Sequence, residues 1–92
     1  MTDRRYQLII APTARRQLAE QLPESVAFAA YEFVIGPLLD IPHRVGKQLR
    51  PPLHDRHSAR RGTYRVIYRI DDERQEVTVL GVFSRADAYR AK

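Results

Sequence analysis

The 92-residue chain lacks cysteine altogether, and none of its apolar runs is long. Without thiols, the chain can have neither disulfides nor thiolate catalysis nor a cysteine-based zinc site. The apolar runs are too short to span a bilayer, and no charged segment followed by an apolar one opens the chain, so we expect a cytoplasmic protein with no membrane partner. A chain of this length supports one hydrophobic core, which predicts a single domain over residues 1–92.

Acidic residues are scarce between residues 41 and 70, where eight basic side chains accompany the single acid Asp55. The rest of the chain holds eight basic and ten acidic residues, so the net charge of +5 is concentrated in this segment. Fourteen of the sixteen basic residues are arginine, whose planar guanidinium group binds phosphate at two points and stacks on bases. This bias predicts nucleic-acid binding. A genome rich in arginine codons is the alternative explanation.

Apolar periodicity in the N-terminal half predicts one strand and two helices. Residues 5–11 alternate between polar and apolar side chains, which indicates a first strand. Helical spacing follows, with Thr13 as the expected N-cap of a first helix that ends at residue 22. A second helix is expected from residue 23 to Gly36, where Pro37 stops it because proline supplies no backbone donor.

The C-terminal half predicts a meander of three strands after an irregular loop over residues 40–53. The strands are expected at residues 55–61, 63–71 and 76–83, with turns at Gly62 and at residues 72–75. The order β-α-α-β-β-β predicts an α+β fold in which two helices cover one face of a mainly antiparallel four-stranded sheet. The other face stays open, and a short C-terminal segment follows the sheet.

The hairpin around Gly62 determines which side chains share the open face. If Arg61 and Gly62 form the turn, Arg60 pairs with Thr63 and Ser58 pairs with Arg65. Side chains alternate between the two faces of a strand, so one face would carry Arg56, Ser58, Arg60, Arg65 and Arg69. Guanidinium groups this close repel one another unless an anion binds among them, which predicts a site for the scissile phosphate of a nucleic acid. A solvated strand face is the alternative.

RNA is favoured over DNA because its own 2′-hydroxyl supplies a nucleophile and the sequence shows no cluster of metal ligands. Proton transfer would then need a side chain such as histidine, whose ordinary pKa is about 6.5. His54 and His57 flank the basic strand, although His57 is expected to point away from the arginines. Tyr89 is a second candidate, because surrounding cations favour the ionised form of a tyrosine. Tyr64 and Tyr68 alternate with the arginines and are expected to face the core.

The run HSARRGTYRVIYRIDD at residues 57–72, followed by VTVLGVFSRADAYR at residues 77–90, resembles the RelE toxins of the RelE/ParE superfamily, particularly their actinobacterial branch. TARRQLAEQLP at residues 13–23 and RVGKQLRPPL at residues 44–53 are similar to the same branch. The resemblance covers nearly the whole chain. It implies a RelE-like fold and the toxin of a type II toxin-antitoxin system, which enters the A site of the 70S ribosome and cleaves mRNA without a cofactor.

The resemblance also implies roles for individual residues. The implied catalytic residues are Arg65, Arg85 and Tyr89. The implied RNA-binding residues are Arg44, Lys47, Arg50, Arg56, Arg60 and Arg61. Ser58 stands where well-studied members have a lysine, and Ser84 stands where many have a histidine. These two departures imply cleavage that is slow, depends on ribosomal RNA groups or has been lost.

A cognate RelB-type antitoxin is the partner that the resemblance implies, and operator DNA binding is expected to belong to that antitoxin. Val34, Leu38 and Leu39 are candidate contacts for it, with core packing as the alternative.

Two other functions remain open. A ParE-like inhibitor of DNA gyrase shares the fold but generally lacks the full set of arginines and tyrosine. A basic RNA-binding module without catalysis predicts exposed aromatic residues beside the basic groove.

Overall fold

The computed structural model describes residues 5–84. Its elements are β1 (Gln7–Ile10), α1 (Pro12–Arg16), a π-helical turn (Gln17–Gln21), α2 (Glu24–Ile35), α3 (Pro37–Asp40), α4 (Pro42–Val45), β2 (Lys47–Gln48), β3 (His57–Arg61), β4 (Tyr64–Asp71) and β5 (Glu76–Ser84). The strands form one sheet in the order β1-β5-β4-β3-β2. β1 is parallel to β5, and the other neighbouring pairs are antiparallel. The predicted α+β fold is confirmed, with five strands over residues 5–84 instead of four.

The first helix starts earlier than predicted. Ala11 is its N-cap and Pro12 lies in its first turn, where the missing N–H of proline has no intrahelical partner to lose. Thr13 is therefore already inside the helix, and the prediction that it caps the helix was wrong. The helix widens into the π-helical turn and ends at Leu22, whose backbone is extended, because the residue before a proline disfavours helical geometry.

The predicted loop over residues 40–53 contains α4 and the short strand β2. Gly46 connects the two elements and lies against β3. A Cβ atom at Gly46 would be 2.7 Å from the carbonyl oxygen of Ser58 and 2.5 Å from the hydroxyl of Tyr68. Only a glycine permits this approach, and the approach brings Lys47 beside Ser58 in the sheet. The sequence pattern alone could not show this contact.

The hydrophobic core lies between the helices and one face of the sheet. Its fully buried side chains come from both layers: Ala14, Ala30, Val34 and Leu38 from the helices, and Ala59, Val66, Tyr68, Val77, Val79 and Val82 from the sheet. Leu39 is buried as well. Of the two roles considered for Val34, Leu38 and Leu39, the structure supports core packing and not an exposed contact surface.

Tyr68 carries the one polar group of its side chain into this core. Its hydroxyl donates a hydrogen bond of 2.6 Å to the carbonyl oxygen of Pro42, so the buried donor has a partner. Burial raises the pKa of Tyr68 to about 12. Tyr64 is buried too, which confirms that both tyrosines face the core.

At one edge of the sheet, the side chain of Gln17 forms a hydrogen bond with β5 beyond the point where β1 ends. β1 ends at Ile10, which is in register with Val79 of β5. Farther along β5, the buried side chain of Gln17 accepts a hydrogen bond of 2.7 Å from the backbone N–H of Val82. Gln17 thus satisfies a backbone donor that a longer β1 would have paired.

Over residues 5–84, every helix is too short or too polar to cross a lipid bilayer.

Candidate nucleic-acid interface

The β3–β4 hairpin turns at Gly62 and Thr63. Gly62 has a φ of 57°, a left-handed conformation that glycine adopts without steric cost. Arg61 pairs with Tyr64 and Arg60 pairs with Arg65, so the predicted turn at Arg61 and Gly62 was wrong by one residue. The error moves every cross-strand partner by two positions. Because side chains alternate with a period of two, each residue keeps its predicted face.

One face of the sheet lies away from the helices and carries exposed cations. Arg60 and Arg65 are direct cross-strand partners on this face, and Arg69 follows farther along β4. Lys47 joins them from β2, where it pairs with Ser58. We call this surface the basic face and define it by five residues: Lys47, Ser58, Arg60, Arg65 and Arg69.

The cations of the basic face have no acidic partner among residues 5–84. The ion pairs in this part of the chain involve Arg5, His43 and Arg56. Like charges placed directly across a sheet destabilise it, and within residues 5–84 no carboxylate forms an ion pair that would offset the repulsion between Arg60 and Arg65. The arrangement costs folding free energy and favours the binding of an anion.

Arg61 lies on the opposite side of the sheet. Its guanidinium carbon is 4.7 Å from the centre of the Phe33 ring, and one of its nitrogens donates a hydrogen bond of 3.1 Å to the carbonyl oxygen of Val45. These contacts hold the side chain against the helical layer. The structure therefore does not place Arg61 with the other predicted RNA-binding residues.

The remaining predicted site residues are not members of the basic face, and two of them lie outside the described residues. Arg56 directly precedes β3, and its Nε is buried without a hydrogen-bond partner among residues 5–84. Arg44 in α4 and Arg50 in the loop after β2 are exposed. Arg85 and Tyr89, both predicted to be catalytic, lie outside the described residues.

His57 belongs to the helical side of the sheet, as predicted. Its ring stacks on Tyr68 with 5.5 Å between the ring centres, and its Nδ1 is buried without a partner in the described part of the chain. Burial, followed by the charge of His43, lowers the pKa of His57. A histidine held in this way is unavailable to a substrate on the basic face.

His43 also lies on the helical side, in a small polar cluster. Its Nε2 is 2.9 Å from the carboxylate of Asp72, which accepts a second hydrogen bond from the hydroxyl of Tyr6. The bond from Tyr6, and then the bond from His43, lower the pKa of Asp72. This cluster joins three parts of the fold and accounts for His43 without a catalytic role.

Phe83 lies on the same side of the sheet as the basic face, although the sequence pattern did not predict it there. It pairs with Arg65 across β4 and β5 and is 41% exposed. Val77 and Val79 are buried, so simple alternation would place Phe83 in the core too. A β-bulge reverses the alternation, because the pairing of β5 with β4 passes from Val79 to Gly81 and leaves out Leu80. No sequence signal marks this bulge unambiguously.

The known proteins that this chain resembles in sequence are toxins. A profile of the family described as "ParE toxin of type II toxin-antitoxin system, parDE" matches residues 8–89. The chain is 50% identical over 88 residues to Toxin RelE of Mycobacterium tuberculosis, which covers 96% of this chain and 90% of the relative. It is 51% identical over 85 residues to Toxin RelG of the same organism, which covers 92% of this chain and 97% of the relative.

The solved structures that this chain resembles also contain toxins. The toxin-antitoxin complex RelBE2 from Mycobacterium tuberculosis contains a chain that is 48% identical, with a TM-score of 0.84 and coverage of 88% of this chain and 99% of that one. The isolated RelE toxin of Escherichia coli has a TM-score of 0.71 at 22% identity, and the match covers 92% of each chain. At that identity, the second match shows a shared fold only.

Proposed function

The chain belongs to the RelE/ParE superfamily of toxins from type II toxin-antitoxin systems, and from this membership we propose that it is a ribosome-dependent endoribonuclease that cleaves mRNA in the A site. The observation that carries the proposal is the basic face, where Arg60 and Arg65 oppose each other without an acidic partner among residues 5–84. An RNA phosphodiester neutralises such a pair. The two relatives at about half identity are named Toxin RelE and Toxin RelG, and the first name favours this reaction over gyrase inhibition.

In the proposed reaction, the 2′-oxygen of a ribose bonds to the adjacent phosphorus while the bond from phosphorus to the 5′-oxygen breaks. Arg65 stabilises the negative charge that develops on the phosphoryl oxygens, together with Arg85. Guanidinium groups supply the positive charge, so the reaction needs no metal ion. The 2′-hydroxyl loses its proton as its oxygen attacks, and the 5′-oxygen gains a proton as it leaves. We assign both transfers to Tyr89 as a proton shuttle, because His43 and His57 lie on the helical side.

The other cations of the proposal hold the RNA backbone. Lys47 is the cross-strand partner of Ser58, and Arg60 is the cross-strand partner of Arg65. Lys47 therefore brings a positive charge next to Ser58, which supplies none. We propose three more cations as further contacts to the RNA backbone: Arg44, Arg50 and Arg56. Arg61 is left out of the site because its contacts are with the helical layer.

The proposed protein partner is a RelB-type antitoxin, since the related RelBE2 structure is a toxin-antitoxin complex. Val34, Leu38 and Leu39 are buried and cannot contact the antitoxin. We assign its apolar contacts to the outer surface of the helices. Phe28 is 65% exposed there and lines an apolar groove with Leu18 and Tyr31. Operator DNA binding is assigned to the antitoxin. Ribosome-dependent cleavage places the toxin in the cytoplasm.

The test compares Arg65→Ala with Arg15→Ala, which removes an exposed arginine from α1 on the helical side. Induced at equal expression, the parent and Arg15→Ala should arrest growth, and primer extension on a translated messenger should show cuts at codon positions. Arg65→Ala should cleave about a hundredfold more slowly or worse, as expected when one group that stabilises the developing charge is removed.

Three other outcomes would contradict the proposal. Equal toxicity of Arg65→Ala and the parent would show that the site is wrong. Intact messenger with altered plasmid supercoiling would identify a gyrase inhibitor. Bound but intact messenger on purified ribosomes would identify an RNA-binding toxin without catalysis.

A further inference from the structure

We propose that Phe83 is a stacking platform for one nucleobase of the RNA that binds the basic face. This inference rests on the proposed function and adds a residue that contributes affinity without charge. An exposed aromatic side chain is sequence-tolerant in RNA binding because every base has a π-face.

The position of Phe83 in the sheet suits this role. It is the direct cross-strand partner of Arg65, and such partners have Cβ atoms about 5 Å apart. The phosphate and the base of one nucleotide are joined through a single ribose. Arg65 and Phe83 are therefore placed so that one side chain contacts the phosphate and the other contacts the base of the same or the next nucleotide.

Gly81 shapes the platform. A Cβ atom at Gly81 would lie 2.8 Å from Cε2 and 3.0 Å from Cζ of Phe83, so the outer edge of the ring occupies the space that a side chain at residue 81 would fill. The ring leans along β5 over the glycine instead of standing away from the sheet. Phe83 is still 41% exposed, so ring surface remains available for a base.

A nucleic acid fits this position better than a protein partner does. The neighbours of Phe83 across the sheet include Arg65 and, one strand farther, Arg60, and neither has an acidic partner among residues 5–84. In RNA, phosphates and aromatic bases lie close together, so the phosphates can bind the arginines while a base stacks on the Phe83 ring. The helical side instead offers an apolar groove with Phe28 and Tyr31, which suits a protein.

The test measures binding of a short oligoribonucleotide that carries 2-aminopurine and 2′-O-methyl riboses, which block cleavage. Stacking quenches 2-aminopurine fluorescence. Phe83→Leu removes the π-face and keeps an apolar side chain, whereas Phe83→Tyr keeps the π-face. We expect Phe83→Leu to weaken binding by about tenfold or more and to lose the quenching, while Phe83→Tyr binds like the parent.

Salt dependence separates stacking from charge. Removing a phosphate-binding cation lowers the slope of log affinity against log salt by about one. We expect that change for Arg65→Ala. Phe83→Leu should lower affinity by the same factor at every salt concentration, with an unchanged slope. In the parent protein, replacing single bases with abasic sites should reproduce the loss at one position of the RNA.

The outcomes distinguish this inference from the proposed function. If the parent cleaves messenger and binds RNA but Phe83→Leu, folded by circular dichroism, binds with parental affinity and quenching, the inference fails alone. Loss of antitoxin affinity with intact RNA affinity also overturns it, because the ring would then serve a protein partner. If the parent neither binds RNA nor cleaves messenger, the proposed function fails and this inference falls with it.

Discussion

Adjacent arginines on opposite faces of β3 should have opposite effects on stability. Arg60 opposes Arg65 on the basic face, whereas Arg61 contacts Phe33 and Val45 on the helical side. Replacing either arginine with glutamine removes one charge and retains a flexible polar side chain. We predict that Arg60→Gln raises the free energy of unfolding and that Arg61→Gln lowers it.

The magnitudes follow from the contacts. Two unit charges about 7 Å apart in water repel by about 0.6 kcal/mol, so relief of the repulsion should raise the melting temperature of a domain this size by about 3 °C. Arg61→Gln loses a cation–π contact that is worth about 0.5–2 kcal/mol. It also loses a hydrogen bond that is worth about 1 kcal/mol. We therefore expect a loss of about 1.5–3 kcal/mol for Arg61→Gln.

Urea denaturation at low and high salt is the assay. In 1 M salt, the screening length falls to about 3 Å, so the gain from Arg60→Gln should almost disappear. The loss from Arg61→Gln should persist, because packing against Phe33 and a half-buried hydrogen bond are screened much less. A lower stability of Arg60→Gln at low salt would refute the account of the basic face as a site of uncompensated repulsion.

Two further predictions concern stability. Gly46→Ala should lower the free energy of unfolding by about 1–3 kcal/mol in urea denaturation, because overpacking is destabilising and the new Cβ would lie 2.7 Å from the backbone oxygen of Ser58; parental stability would show that β2 does not approach β3 as described. The lowered pKa of His57 means that the unfolded chain binds a proton more readily, so stability should fall as the pH drops below about 6.5. His57→Phe keeps the ring against Tyr68 and should flatten this dependence between about pH 7 and pH 5, with His43 and Asp72 unchanged in both proteins. An identical pH dependence in the variant would show that His57 titrates normally in the fold.

The arginine face could be predicted from the sequence even though the turn was misplaced. Alternation along β4 fixes Arg65 and Arg69 on one side, and a two-position shift of the partner strand leaves that parity intact. The same rule predicted that Tyr64 and Tyr68 face the core. It failed at Phe83, because a single extra residue in β5 reverses the alternation beyond it.

Other features depend on contacts between distant parts of the chain. The strand β2 requires Gly46 to lie against Ser58, and local patterns of residues 40–53 do not contain that information. The π-helical turn places Gln17 beside Val82, which is 65 residues later in the sequence. The sequence left two roles open for Val34 and Leu38, because the width of an amphipathic stripe does not show how deeply a helix is buried.

The hydrogen bond from Val82 to Gln17 has a consequence for how copies of this chain meet one another. Exposed rows of backbone groups at the border of a sheet template the addition of foreign strands, and this is a common route to aggregation. At the β1 border of the sheet, the strand itself has only four residues, and a glutamine amide covers one of the donors that β1 does not reach. Folded copies of this chain that are crowded together therefore find less free backbone at this border on which another strand could add.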